Sequence, residues 1–425
     1  MKPAAWVVFC AALMPVVAPA AEDGRNAPIA RDSRDWPAII SALKESLWRS
    51  PNDASVKAQL SIAHNNYGVK LGDQGEWQLA IDQLEEAVKL SPQTTDFRKN
   101  LSRMYLQQAA SLRSEAANRN TSRLQDSKVA GLVHKALTYD PTMAEAYAML
   151  GEIEYDNQRL KEAKQAWEKA SKLNPNLPGL REAMKKLSEE LPVEGEFDRL
   201  SHLYFDIRYE ESQVDRSVGF DVQETLLQAR REVGNAFRYW PNTKIIVLVY
   251  SAQTFHAMRQ NTPEWVGGQY DGKIRLPLPG GELDASIVRQ ILFHEYTHAL
   301  VRDLAAGKCP VWLNEGLAEY QGARAGRRYT ELLADALQKD HLFAWKDLDG
   351  HFSPSLTAPE VGLAYQQAHS IVAYLSERYG FWRFRKVLAN VGEGMPVDQA
   401  LSKEFHTPLE RLERNWREWL PGFAR

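Results

Sequence analysis

Hydrophobic and polar positions follow two different rules along the 425 residues of this chain. From about Trp36 to Leu191, apolar and small residues recur three and four apart, the spacing of helices, in stretches closed by proline. Pro92, Pro141 and Pro175 each close such a stretch. The stretch before Pro175 carries Tyr147, Leu150, Gly151, Ala163, Trp167 and Ala170; the one before Pro92 carries Tyr67, Gly68, Leu71, Gly75, Ala80, Leu84 and Ala87 at similar offsets. Past Leu191-Pro192-Val193-Glu194-Gly195 the pattern changes. His202–Arg208 alternates as a half-buried strand and Lys244–Tyr250 reads as a buried one, with an amphipathic helix, Gln223–Phe237, between them. Gly268–Leu278 predicts a further strand closed by Pro279-Gly280-Gly281, and from Asp284 onward helical periodicity dominates. The fold class expected is multidomain: an all-α array, then an α+β domain with a small sheet plus helices.

The repeated order of small and aromatic residues resembles the tetratricopeptide repeat (TPR), a helical hairpin of about 34 residues. The interval from Pro141 to Pro175 is one such repeat. The resemblance implies a TPR solenoid over residues 34–191. Its middle unit is irregular, because the interval from Pro92 to Pro141 exceeds one repeat. The surplus is a polar stretch around Arg113 to Asp126 that either lengthens the paired helices or forms a loop. Ile39–Trp48 reads as a leading half-repeat, and Leu180–Leu191 as a terminal capping helix. One repeat cannot bury its own apolar face, so the units must stack. Such a stack offers a concave surface to a protein partner; the alternative is a docking platform within the chain.

Composition narrows the function classes. Hydrophobic residues at 44% and charged residues at 25% are the balance of a folded globular protein. A net charge of −3 supplies no electrostatic drive toward nucleic acid. Residues 1–20 read as a signal peptide: Lys2 precedes an apolar run from Ala4 to Met14, and Ala18-Pro19-Ala20 offers small residues for cleavage. The run is shorter than the ~20 residues of a membrane span, so no integral span is expected after cleavage. The expected location is exported, either periplasmic or secreted. Cleavage removes Cys10 and leaves Cys309 as the one thiol, expected to be a small buried apolar residue.

Candidate chemistry lies in His294-Glu295-Tyr296-Thr297-His298, inside the predicted helix Ser286–Leu304 with Asp284 or Ser286 as its cap. Residues four apart share a helical face, so both imidazoles can share one metal ion. Glu295 is displaced around the helix and can reach water on that ion without ligating it. A catalytic zinc site usually has three protein ligands and an open position. Glu315 is the expected third ligand, beyond His298 on a second helix that opens at Pro310. Glu319, four positions on, is expected to orient a ligating histidine, with the reverse assignment as the alternative.

His-Glu-x-x-His followed by Trp312-Leu313-Asn314-Glu315-Gly316-Leu317-Ala318-Glu319-Tyr320 resembles the gluzincin metallopeptidases, in the peptidase-MA-like branch. The resemblance covers residues 196–425 and implies zinc on His294, His298 and Glu315. It also implies a zinc-bound water activated by Glu295 as catalytic base, acting on a peptide or protein substrate. The interval from His298 to Glu315 is slightly shorter than in the best-studied gluzincins, which predicts a tight connection between the two helices. Similar enzymes stabilise the oxyanion with a tyrosine or histidine from a later helix; Tyr365 is the first candidate here and His369 the second. Gly267-Gly268 before the metal helix could belong to a strand that pairs with an extended substrate, or to a hairpin turning at Asp271-Gly272. Two rival functions remain: a zinc-binding scaffold whose TPR array is the working part, and a hydrolase of a non-peptide amide in the cell envelope.

Overall fold

The computed structural model describes residues 35–119, 122–258, 268–278, 284–353 and 355–424; the leader at 1–20, Gly267 and Pro279-Gly280-Gly281 lie outside them. The chain divides into two compact units, Met1–Glu115 with Gln125–Leu187, and Ala116–Leu124 with Ser188–Arg425.

The first unit is built from helical hairpins: α1 (Trp36–Arg49), α2 (Ala54–Asp73), α3 (Trp77–Leu90), α4 (Thr95–Arg119), α5 (Ser122–Tyr139), α6 (Ala144–Asp156) and α7 (Leu160–Leu173). Asp35 and Asp53 cap α1 and α2 by accepting backbone N–H bonds in the first turn. Small residues sit where helices meet: Ala80, Leu84 and Ala87 of α3 are fully buried, as are Ala163 and Ala170 of α7. Trp167 donates from Nε1 to the Ala148 carbonyl at 3.0 Å, joining α7 to α6. Helices of 25 and 18 residues in the middle hairpin show that the inserted stretch lengthens the paired helices. Arg113, within it, pairs with Glu152 at 2.7 Å and Asp156 at 2.8 Å, so the longer α4 is tied to α6.

A helix α8 (Leu180–Glu194) follows and runs past the predicted end at Leu191, with Pro192 inside it. The second unit then opens with β1 (Asp198–Ser201) and β2 (Phe205–Tyr209), an antiparallel pair. This corrects the expected strand His202–Arg208. His202 and Leu203 lie in the connection, closed by a bond from the His202 N–H to the Phe205 carbonyl at 2.8 Å, and β2 itself is almost wholly buried. Helix α9 (Arg216–Phe237), capped by Asp215, leads to β3 (Ile245–Ser251), parallel to β2. After α10 (Ala252–Met258), the hairpin alternative for Gly268–Leu278 is the one formed: β4 (Gln269–Tyr270) and β5 (Ile274–Leu278) turn at Asp271-Gly272. Gly272 takes φ +105°, which a side chain would strain.

The sheet order is β1-β2-β3-β5-β4, so β4 forms an edge. Both faces of β3 are covered, which explains its unbroken apolar run. Ile245, Val247 and Val249 face the main core with α9 and the later helices, whereas Ile246, Leu248 and Tyr250 pack with Phe255 and Phe197. The remaining elements are helical: α11 (Ala285–Leu304), α12 (Val311–Ala325), α13 (Glu331–Gln338), α14 (Ala358–Tyr379), α15 (Phe384–Gly392), α16 (Val397–Phe405) and α17 (Leu409–Phe423). Cys309 packs against the main core, partly buried, and burial holds its thiol well above the ordinary value. No described helix is long and apolar enough to cross a membrane.

Candidate metal centre

Helix α11 starts where Asp284 accepts the Ser286 N–H at 2.9 Å, and it carries the histidine pair through its buried middle. Helical spacing puts Gln290, His294 and His298 on one face, and Ile291 with Glu295 about 100° further round. The first face meets α12. The chain reverses within residues 305–310, the tight connection that the spacing predicts, and the two helices run antiparallel. Gly322 lets them close: a Cβ there would lie 3.2 Å from the Gln290 carbonyl and 3.5 Å from the His294 Cβ. The start of α12 is held by Asp349, which accepts the Trp312 N–H at 2.9 Å.

That packing brings the three predicted ligands together. Nε2 of His294 and Nε2 of His298 stand 2.9 Å apart, with the rings nearly perpendicular. Glu315 Oε2 lies 3.5 Å from the first nitrogen and 3.4 Å from the second. One ligand atom from each residue falls within a 4.8 Å cluster, the single metal-capable group found among the described residues. Ligands at about 2.0–2.1 Å from a tetrahedral zinc are about 3.4 Å apart. The two carboxylate edges match that value, and the ring–ring edge is shorter. The donor set, two imidazoles and one carboxylate, suits zinc. Among the described residues, His298 Nδ1 and Glu295 Oε2 are buried with no hydrogen-bond partner, so the chain's own groups leave the centre incompletely satisfied.

Glu319 takes the place expected of an orienting carboxylate. Its Oε1 lies 3.2 Å from Nδ1 of His294, opposite the nitrogen that faces Glu315. The electrostatics follow from this crowding. Burial works against a charge on His294, but hydrogen bonds with Glu315 and Glu319 outweigh it and hold the ring's pKa well above the ordinary value. His298 is likewise raised against its burial, chiefly by Glu315. Burial pushes the Glu315 carboxyl up, yet the His298 charge and hydrogen bonds from both rings hold it well below the carboxylate range. Glu295 ends raised: its burial exceeds the pull of the two histidines, and the charges of Glu315 and Glu319 add to the rise.

The centre is not sealed. His294 keeps 17% of its side-chain surface exposed and Glu319 28%, so solvent reaches it from that side. Tyr365, on α14, packs edge-on against Phe352 at 5.1 Å. Burial raises its pKa, and the charges of Glu315, Glu319 and Glu295 add to the rise. His369 is enclosed by the rings of Tyr320 at 6.2 Å and Phe423 at 5.4 Å. Its pKa falls to about 4, through burial first; Glu319 opposes the fall and Arg328 adds to it.

Residues 223–422 match the model of the Peptidase MA superfamily, and residues 144–177, which span α6 and α7, match the tetratricopeptide repeat. The second unit holds a Peptidase MA superfamily domain. No curated protein matches the chain. The Peptidase MA domain contains supporting residues that the motif did not disclose. Gln290 forms a two-way clasp with the backbone of Arg327, donating to its carbonyl at 3.0 Å and accepting its N–H at 2.9 Å. Gln367 of α14 makes the same kind of clasp on Phe343, at 2.7 and 3.0 Å. Only the position of Gln290, one turn before His294 on the same face, hinted at such a role. Asp349 left no local signal, because the helix it caps begins far upstream, at Val311.

Proposed function

We propose that this chain is an exported zinc-dependent peptidase in which His294, His298 and Glu315 hold the metal and Glu295 is the general base. The observation that carries this reading is the convergence of those three ligand atoms beside a buried, incompletely satisfied carboxylate. When bound, zinc supplies Lewis acidity to a scissile carbonyl and lowers the pKa of water to about 7. Glu295 takes the proton of the attacking water and returns it to the leaving amine. Tyr365 donates its hydroxyl hydrogen to the developing oxyanion. Glu319 keeps His294 in the tautomer that carries hydrogen on Nδ1 and presents Nε2 to the metal.

β4, the last strand in the sheet order, runs beside α11, which suits an extended peptide laid along the strand. The repeat array recruits either the substrate or a separate protein partner. Residues 1–20 direct the chain out of the cytoplasm, to the periplasm or the medium.

Metal analysis of the purified chain, paired with turnover on a peptide library, tests the reading. Zinc near one equivalent with cleavage abolished by Glu295→Gln is the expected result. Cleavage unchanged in that variant removes Glu295 as base, and zinc retained with no cleavage by the wild type favours the scaffold reading.

A further inference from the structure

The two faces of α11 have different neighbours. Gln290, His294 and His298 look toward α12, whereas Ile291 and Glu295 look toward the edge hairpin. Gly268, the residue immediately before β4, sits against that second pair. A Cβ added to it would stand 2.7 Å from Oε1 of Glu295, 2.9 Å from Cγ2 of Ile291 and 3.0 Å from Cγ of Glu295. Side-chain carbons do not approach other heavy atoms so closely, so an alanine here must displace something. Glu295 is 4% exposed, and its other oxygen has no hydrogen-bond partner among the described residues. The carboxylate is therefore held by packing, and the bare Cα of Gly268 is one wall of its seat.

We infer that Gly268 is a positioning residue: its missing side chain sets where the Glu295 carboxylate can stand. Gly268 is not itself a catalytic residue, because it acts through Glu295. The inference rests on Glu295 being the base, but its steric content does not. Ile291 and Glu295, four apart on the helix, form a notch that accepts backbone alone. The notch belongs to α11 and its floor to the sheet edge, so the base is aligned by the same hairpin that borders the substrate side of the centre. Nothing in the metal-ligand motif reports this dependence. A residue well upstream of the motif decides it through tertiary contact.

The experiment uses the full chain. In the zinc-loaded enzyme, Gly268→Ala is expected to lower kcat about 100-fold, the scale of a misplacement near 1 Å, with KM and zinc content near those of the wild type. Combined with Glu295→Asp, whose shorter side chain withdraws from the wall, the same change is expected to cost less than tenfold relative to Glu295→Asp alone. The thermal midpoint of the metal-free protein reads the contact without turnover. Gly268→Ala should lower Tm more in the wild-type background than in Glu295→Ala, where the two Glu295 atoms are gone and Ile291 Cγ2 alone remains. If Gly268→Ala does not accumulate as folded protein, adding Ile291→Ala removes the second obstruction and leaves the carboxylate as the remaining one. A kcat within twofold of the reference, or equal Tm losses with and without the Glu295 side chain, overturns the inference. Tm coupling in a protein that cleaves nothing supports the seat and sinks the peptidase reading instead, so the two failures are told apart.

Discussion

Two of the charged clusters in the second unit, one around Arg275 and one around His294, separate by their contrast what holds the fold from what the fold holds ready. Arg275, fully buried on β5, uses every nitrogen of its guanidinium: Nη2 donates to Glu190 at 3.1 Å, Nε to Asp271 at 3.3 Å, and Nη1 to Glu194 and the Tyr250 hydroxyl. Tyr250 in turn donates to Glu194 at 2.6 Å. Donors meet acceptors at each of these contacts, which join α8 to the sheet. Around His294, His298 and Glu315 the logic is reversed. Ring nitrogens and a carboxylate oxygen converge within 2.9–3.5 Å, and among the described residues buried polar atoms of Glu295 and His298 have no hydrogen-bond partner. In the first cluster a cation already stands among the carboxylates, whereas the second is arranged around a point that a cation would occupy. A buried charged group is therefore a structural brace or a functional centre according to whether its own neighbours complete it.

The largest effect that could break this contrast is on turnover. Glu295→Gln is expected to reduce kcat about 10²–10⁴-fold with zinc retained, read by steady-state kinetics beside metal analysis; a loss below tenfold would remove it from the open cluster. Next comes the closed cluster. Arg275→Ala removes the guanidinium that Glu190, Glu194 and Asp271 share and is expected to cost about 3–5 kcal/mol of stability. Chemical denaturation measures it, and a cost under about 1 kcal/mol would mean that the brace holds nothing. Tyr365→Phe should lower kcat about 10²–10³-fold while zinc content and Tm stay put. If kcat is near normal and His369→Ala is the damaging change, the donor is the histidine. The smallest expected effect belongs to Glu319→Gln, about 10–100-fold in zinc affinity, read by competition with a chelator. An unchanged affinity would show that the His294 contact is not an orienting one.

Much of this was legible in the sequence because it is local. Helical spacing alone sets His294 and His298 on one face, and the recurring small residues before Pro92 and Pro175 announce hairpins that touch closely. The β-region was read less well, for a physical reason. Alternation in His202–Arg208 suggested a strand with one wet face, but β2 is inserted between β1 and β3 and is covered on both sides, so its start is set by pairing with Ile245. In Gly268–Leu278 a single strand and a hairpin turning at Asp271-Gly272 both stood open, because the short β4 has no room to show a period of its own. Glu315 could be chosen from its motif, whereas Tyr365 and His369 both lie on α14 and both feel the Glu319 charge, so no local period separates them.

The chain's order of residues determined by itself the two grammars, the helical array in front and the α+β domain behind, and the candidate ligands, because each depends on short local periods. Tertiary structure alone decided that Arg275 closes a cluster while Glu295 stands in an open one, that Gln290 clasps the end of α12, and that Gly268 forms the wall beside Glu295. These contacts join residues far apart in the chain through packed surfaces. No local period encodes which surface a side chain will meet once the helices and the sheet edge have closed around it.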